Sequence, residues 1–176
     1  MRFRGSLAAL AAALAACAPD PPAYPPPIQR PSLAQPRLGD VGPFVSMADP
    51  LSQAHIVRDV SHAIEADAWR WTGRNPELRF YLESVEHLRL QCEFAIADQT
   101  FGDTGPVTVT YFVNGQRLDV RRYENAGGHE YVHPVPAAML RAGAMNTVRM
   151  QIEPAWISPA DGSVLGIILT RAGFTD

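Results

Sequence analysis

Apolar and polar residues alternate along most of the chain after residue 54. A period of two puts one face of a strand against a core and the other face in solvent, so it predicts β-strands. The dipeptide Asn114-Gly115, which tolerates the positive φ angles of a tight turn, predicts a hairpin. The clearest alternating runs are residues 88–96, 107–113, 116–123 and 147–153.

Shorter patterns complete the expected set of elements. The continuously apolar run 164–169 predicts a central strand buried on both faces, and residues 136–141 predict a single helical turn between Pro136 and Gly143. About eight or nine short strands with little helix predict an all-β fold, an antiparallel two-sheet sandwich or a barrel. We place this domain at residues 48–176. Weaker strands are expected near residues 54–60, 66–72, 78–83 and 129–135.

Turn motifs in this region carry a resemblance to a known fold family. The segment from Gly105 to the Asn114-Gly115 turn, the segment 143–148 and the closing Leu-Gly-Ile-Ile-Leu of 165–169 resemble jelly-roll domains of the galactose-binding-like kind. The resemblance spans residues 66–174 and is a pattern of turns. It implies a jelly-roll-like sandwich and, because many such domains bind sugars, an expectation of carbohydrate binding.

The N-terminus has the features of an export signal. Arg2 and Arg4 precede a ten-residue run of Leu and Ala at 7–16, which spans about 15 Å as a helix, half of a bilayer core of about 30 Å. The tetrad that ends in Cys17 (Leu-Ala-Ala-Cys) resembles the lipobox of bacterial lipoproteins. That resemblance implies a signal peptide at 1–16, a lipid anchor at Cys17 that carries palmitate-type chains, and sorting to the outer membrane because Ala18 follows. The alternative is an ordinary Ala-x-Ala cleavage site beside an incidental cysteine.

Residues 17–47 predict a tether rather than a folded layer. Nine of the sixteen prolines lie in this segment, and proline favours extended conformations without regular backbone hydrogen bonds. We interpret 17–47 as a disordered, proline-rich tether between lipid and domain. Docking of a partner to this segment is the alternative.

Composition removes several function classes. All fifteen basic residues are arginine, so a Schiff-base or P-loop lysine is excluded. Removal of Arg2 and Arg4 with the signal leaves thirteen arginines against eighteen acidic residues, a formal charge of −5. An acidic chain without a basic run is unsuited to nucleic acid. We therefore predict no nucleic-acid partner and no cofactor.

One string imitates a zinc peptidase motif. Residues 129–133 read His-Glu-Tyr-Val-His, the H-E-x-x-H pattern that chelates zinc when both imidazoles share one face of a helix. Glycines precede the string, and Pro134 and Pro136 follow it, which favours a strand. On a strand the imidazoles of His129 and His133 lie about 13 Å apart, too far to chelate one ion. We predict no metal and no catalytic residues, with a small zinc-dependent hydrolase as the alternative function.

Cys92 and a pair of tryptophans are predicted to belong to the core of the domain. Cys92 falls on the apolar side of its strand, so we expect a buried thiol. Trp69 and Trp71 lie two residues apart and share one face, and we interpret them as a core pair.

The candidate ligand site lies in three polar loops that contain aromatic residues, at 99–105, 124–129 and 154–162. Strand ends of a sandwich are joined by loops that gather at its ends and carry binding chemistry. An aromatic face beside carboxylate and amide groups suits a neutral hydroxylated ligand; the alternatives are solvated turns, with Trp156 as a structural plug. We predict a lipid-anchored, non-enzymatic envelope protein that binds a glycan or an envelope protein, or serves as a structural subunit of an envelope complex. The candidate ligand residues are Phe101, Asp103, Asn125, His129, Trp156 and Asp161.

Overall fold

A computed structural model describes residues 41–176. The predicted signal peptide, Cys17 and residues 17–40 of the predicted tether lie outside the described residues. Within 41–176, eleven strands and one α-helix follow one another along the chain. They are β1 (Phe44–Ser46), β2 (Ile56–Val60), β3 (Arg70–Leu82), β4 (Arg89–Ile96), α1 (Asp98–Thr104), β5 (Val107–Val113), β6 (Gln116–Tyr123), β7 (Gly127–Pro134), β8 (Ala144–Glu153), β9 (Trp156–Ile157), β10 (Val164–Leu165) and β11 (Ile168–Thr175).

The strands form two antiparallel layers, which confirms the predicted all-β sandwich. The front sheet has the order β2-β3-β8-β5-β6, and the back sheet has the order β1-β11-β4-β7. The long strand β3 belongs to both layers, because its first residues Arg70 and Trp71 pair with β11 while 77–82 pair with β8. The short strands β9 and β10 form a separate hairpin before β11.

The alternating side chains meet between the two sheets, where they exclude water. Tyr111 of the front sheet stacks on Tyr131 of the back sheet, with centroids 3.6 Å apart, and Phe80 packs edge-on against Phe174. Each such buried apolar side chain contributes about 1.5–3 kcal/mol. Cys92 is fully buried as predicted, and desolvation raises the pKa of its thiol to about 12.

A half-buried and a fully buried asparagine lie at the end of the sandwich that we call the far end, where β5 turns into β6 and β8 begins. Asn114, at the Asn-Gly turn with φ of 48°, donates to Asn146 Oδ1 at 2.8 Å and accepts the Thr147 amide at 2.9 Å. Asn146 is fully buried and also pairs with the Arg141 backbone and the Ala144 carbonyl. Asn114 and Asn146 therefore link the β5–β6 turn to the start of β8 by hydrogen bonds.

Three segments differ from the sequence-based expectations. Residues 164–169 do not form one central strand: Val164 is 41% exposed in the β9–β10 hairpin, and a new strand starts at Ile168. The break falls at Gly166, where a Cβ would lie 2.2 Å from the Gly73 carbonyl oxygen. The sandwich also begins before residue 48, because β1 pairs with β11 and buries Val45. Residues 98–104, expected as part of a loop, form α1.

The tryptophan pair was interpreted wrongly as core. Trp69 and Trp71 are half-buried and lie outside the hydrophobic core cluster of residues 41–176. Their neighbours Arg70 and Thr72 take the buried positions instead. The Arg70 guanidinium donates from Nη2 to Ser52 Oγ at 3.0 Å and from Nη1 to two backbone carbonyls, while its Nε has no partner among residues 41–176. Because Arg70 and Thr72 face the interior, the indoles of Trp69 and Trp71 lie on the outer face of the strand.

Candidate functional site

The three candidate loops all lie at one end of the sandwich, which we call the loop end. The register places Ile96 opposite Gly127, Val107 opposite Tyr123, and Thr108 opposite Glu153. The ends of β4, β6 and β8 and the starts of β5 and β7 therefore coincide. This end carries α1, the β6–β7 turn and the β9–β10 hairpin.

Two of the predicted residues contact each other. The Trp156 indole Nε1 donates a hydrogen bond of 2.7 Å to Asp103 Oδ2, across 53 residues of sequence. Trp156 begins β9, and Asp103 lies in the last turn of α1, which packs on β9. Trp156 is half-buried and is not among the residues of 41–176 that form the core or pack against it. The ring is thus fixed at one edge by a carboxylate while part of its surface remains open to solvent.

Phe101 has a different environment from its neighbour Asp103. It lies on α1 but is half-buried and packs against the hydrophobic core. The Phe101 carbonyl accepts the Gly105 amide at 2.7 Å, which ends the helix. Phe101 therefore anchors α1 and supports the position of Asp103.

Asn125 and His129 form a contact of their own. His129 Nε2 lies 2.9 Å from the Asn125 carbonyl, and the His129 ring packs against Phe94 and Tyr123 with centroids 5.6 and 4.8 Å away. The Asn125 side chain bonds to the adjacent Ala126 carbonyl at 3.0 Å. This pair shapes the β6–β7 turn, and no contact links it to Trp156 within residues 41–176.

Asp161 caps a turn of the β9–β10 hairpin. Its Oδ1 accepts the Ser163 amide at 3.0 Å. Hydrogen bonds from Ser163, and then from Ser158, lower the pKa of this exposed carboxyl. Asp161 is therefore ionised and engaged in its own turn.

The H-E-x-x-H string lies on strand β7, as its glycines and prolines indicate. Its two histidines have separate partners: His129 contacts Asn125, while His133 Nδ1 lies 3.5 Å from Asp119 Oδ2. In residues 41–176, no group of three or more His, Cys, Asp or Glu side chains is arranged to hold a metal ion.

A large cavity lies at the far end rather than near the candidate loops. It measures about 940 Å³, and its walls are mostly apolar. It is lined by the exposed ring of Tyr81 and by residues 41–43, Leu82, Leu88, Met145 and Phe174. Among the described residues, no helix is long and apolar enough to cross a membrane.

Comparisons with known proteins find likeness in fold only. No family profile matches the sequence, and no curated protein matches it. Solved structures resemble the chain at low identity, and three of them illustrate the likeness. The family 35 carbohydrate binding module from Clostridium thermocellum shares 17% identity, with 76% of this chain and 98% of that chain covered at a TM-score of 0.42.

The other two structures are similarly distant. A CBM35 from Paenibacillus barcinonensis shares 10% identity over 77% of this chain and 99% of that one, at a TM-score of 0.44. An acetyl xylan esterase from Butyrivibrio proteoclasticus shares 12% identity over 76% of this chain but only 33% of its own length, at a TM-score of 0.44. At this distance, function has to be argued from the residues of the loop end.

Proposed function

We propose that this chain is a lipid-anchored protein of the bacterial cell envelope whose sandwich binds a neutral glycan without catalysing a reaction. Cys17 holds it at the outer membrane, on the periplasmic or the surface face, and the proline-rich residues before β1 connect the anchor to the domain. The ligand contacts the loop end, around Trp156.

The single observation that carries the binding proposal is the Trp156–Asp103 pair. An indole face binds the apolar C–H face of a sugar ring, and an adjacent carboxylate accepts hydrogen bonds from its hydroxyls. Asp103 fixes the ring by one oxygen, Oδ2, at 2.7 Å, which leaves Oδ1 as an acceptor. A ring held in place before binding loses little conformational entropy when a ligand arrives.

Charge favours a neutral ligand over an anionic one. The loops 99–105, 124–129 and 154–162 contain no arginine, and the chain contains no lysine. They do contain Asp103, Asp161 and Glu124. Arg122 pairs with Glu124 at 2.8 Å, but no salt bridge among residues 41–176 involves Asp103 or Asp161. An anion beside Trp156 would therefore meet carboxylates that no arginine pairs with, whereas hydroxyl groups can donate to them.

The geometry does not favour the hydrolase alternative. A zinc site of the H-E-x-x-H type requires both imidazoles on one face of a helix. His129 and His133 lie on a strand, and each is engaged by a different neighbour. Zinc analysis of the purified protein tests this directly: one zinc per chain, lost in His133→Ala, would favour the hydrolase.

The lipid anchor is tested separately from binding. Cells expressing the full chain are labelled with radioactive palmitate, and Cys17→Ala is the control. We expect label in the wild type and none in the variant. A variant that still incorporates palmitate would contradict the anchor.

Glycan binding is tested with the full chain carrying Cys17→Ser, which removes the lipidation site. We screen it against a panel of neutral glycans and cell-wall fragments, beside Trp156→Ala and the matched control Tyr81→Ala. Tyr81 is an exposed aromatic residue at the far end. We expect Trp156→Ala to weaken binding at least about tenfold and Tyr81→Ala to have no effect.

Two results of this screen oppose the proposal. A large drop in thermal midpoint for Trp156→Ala with unchanged affinity would make the ring a structural plug. Absence of glycan binding, together with stable recovery of one envelope protein in a pull-down that needs Trp156, would favour the structural-subunit alternative.

A further inference from the structure

A second cleft lies beside the β9–β10 hairpin. Its volume is about 270 Å³. Trp71 of β3 contributes an aromatic wall, Asp59 and Ser61 contribute polar groups, and Val164 and Leu165 of β10 complete it. The lining thus combines an aromatic ring with a carboxylate, as at Trp156, and adds a hydroxyl.

The Trp71 ring is held in a fixed orientation. Trp69 packs edge-on against it, with centroids 5.7 Å apart and planes at 90°. Its chain neighbours are anchored in the interior: Arg70 donates to Ser52, and Thr72 Oγ1 donates to the Ile167 carbonyl at 3.1 Å. With Arg70 and Thr72 facing inwards, the alternation of the strand directs Trp71 outwards.

The polar wall of the cleft depends on an unusual backbone conformation. Asp59 has φ of 58°, in the left-handed region that few residues other than glycine adopt. Its carboxylate accepts the Asn75 amide and lies over Gly73, where a Cβ would be 2.0 Å from Asp59 Oδ1. A side chain at Gly73 would therefore displace the carboxylate. The nearby Ser61 Oγ accepts the Ala63 amide at 3.1 Å, so its hydroxyl proton remains able to bond to a ligand.

The cleft and the Trp156 ring are separated by the width of one hairpin. Leu165, which lines the cleft, is the direct cross-strand partner of Trp156. Paired strands lie about 4.8 Å apart. Directly opposite residues of an antiparallel pair share one face, so Trp156 and Leu165 point to the same side of the hairpin. Asp103 bonds to Trp156, Trp156 pairs with Leu165, and Leu165 lines the cleft together with Trp71.

We propose that the Trp71 cleft is a second sugar-binding subsite, so that the ligand is an oligosaccharide chain that crosses the β9–β10 hairpin. One sugar ring contacts Trp156, and a later ring of the same chain contacts Trp71, donates to the Asp59 carboxylate and accepts from the Ser61 hydroxyl. This inference rests on the proposed glycan binding.

The experiment measures affinity against chain length. The full chain carrying Cys17→Ser is titrated calorimetrically with neutral cello-, xylo- and galacto-oligosaccharides of one to six units. We expect affinity for the recognised series to rise about tenfold between one unit and the longer chains. Trp71→Ala should abolish that rise and leave the affinity for one unit unchanged, whereas Trp156→Ala should weaken binding at every length.

Controls separate this inference from the function on which it rests. Tyr81→Ala should behave as the wild type. If Trp71→Ala lowers the thermal midpoint, Trp71→Phe, which keeps an aromatic face, should recover part of the gain with length. An unchanged length dependence in Trp71→Ala would overturn the second subsite while the Trp156 site stands. Absence of binding to every series would overturn both.

Discussion

At the far end of the sandwich a buried polar residue, Asn146, bonds to several neighbours. At the loop end, by contrast, Trp156 is half-buried, Asp103 and Asp161 are exposed, and each forms one or two contacts. Asn146 is fully buried and takes part in four hydrogen bonds with Asn114, Arg141 and Ala144. At the loop end, Trp156 has one hydrogen bond, to the exposed Asp103. Both ends are built from turns. Buried hydrogen bonds in a low dielectric stabilise one structure, whereas exposed polar groups remain available to bind a ligand.

The cavities do not follow this division. The large apolar cavity is at the far end, whereas the clefts at the loop end are smaller: one of about 500 Å³ beside Phe94 and His129, and the 270 Å³ cleft beside the hairpin. Volume alone would assign the ligand to the far end. We give more weight to the placement of aromatic faces beside carboxylates, because specificity for a hydroxylated ligand comes from such groups. Stability and binding are thus assigned to opposite ends of one domain.

The largest expected effect on stability is at the far end. Asn146→Ala leaves the Asn114 amide and the Arg141 and Ala144 backbone groups without their partner in a buried site. We expect a loss of about 3 kcal/mol in the free energy of unfolding, measured by urea denaturation. Asn125→Ala at the loop end is the matched control, and it should change stability by less than about 0.5 kcal/mol. Similar losses in both variants would remove the distinction between the ends.

The strands could be predicted because each has one buried face. Alternation in 88–96 and 107–113 follows directly from packing Cys92 or Tyr111 against the opposite sheet. The helix α1 gave no such signal: it has seven residues, one of them buried, and its N-cap, Ala97, makes no side-chain hydrogen bond. The short β1 was likewise hidden by the proline-rich composition around it.

Sequence patterns could show which side chains share a face, but not which face is buried. The spacing of Trp69 and Trp71 correctly predicts a common side, yet only the structure shows that Arg70 takes the interior. Similarly, loop composition nominates Asp103 and Trp156, but their hydrogen bond depends on the contact of α1 with β9. A contact between residues 53 positions apart depends on the topology of the fold, which cannot be predicted from local periodicity.

Cys92 offers a probe of which end opens. Its thiol is fully buried, with a pKa raised to about 12 by desolvation, so a thiol reagent should react only after the sandwich opens. In a Cys17→Ser background, we expect Asn146→Ala to accelerate labelling about 100-fold, the equivalent of about 3 kcal/mol. Trp156→Ala should label at nearly the wild-type rate. Faster labelling in Trp156→Ala would mean that the loop end also limits access of the reagent to Cys92.

Acidification should test a group that belongs to neither end. His55 is buried, and desolvation is the main cause that lowers its pKa from the ordinary value of 6.5. Below that pH the unfolded chain binds more protons than the folded one, so stability should decline as pH falls from 6.5 towards the lower folded-state pKa.

The variant His55→Gln should flatten this decline, as measured by urea denaturation at several pH values. Asn146→Ala should keep the wild-type shape at a lower level, because the amides of the far end do not titrate. A decline that survives in His55→Gln would show that another group causes it.

The smallest expected effect concerns the two carboxylates of the loop end. Asp103 holds the Trp156 indole at 2.7 Å, whereas Asp161 is engaged by Ser163 in its own turn. Asp103→Ala should release the edge of the ring and weaken glycan binding about threefold, which corresponds to the loss of one exposed hydrogen bond. Because Asp103 is exposed, the free energy of unfolding should change by less than about 0.5 kcal/mol. Asp161→Ala is the matched control and should leave the affinity unchanged in the same titration; an equal loss there would place the ligand over the hairpin turn instead of the indole.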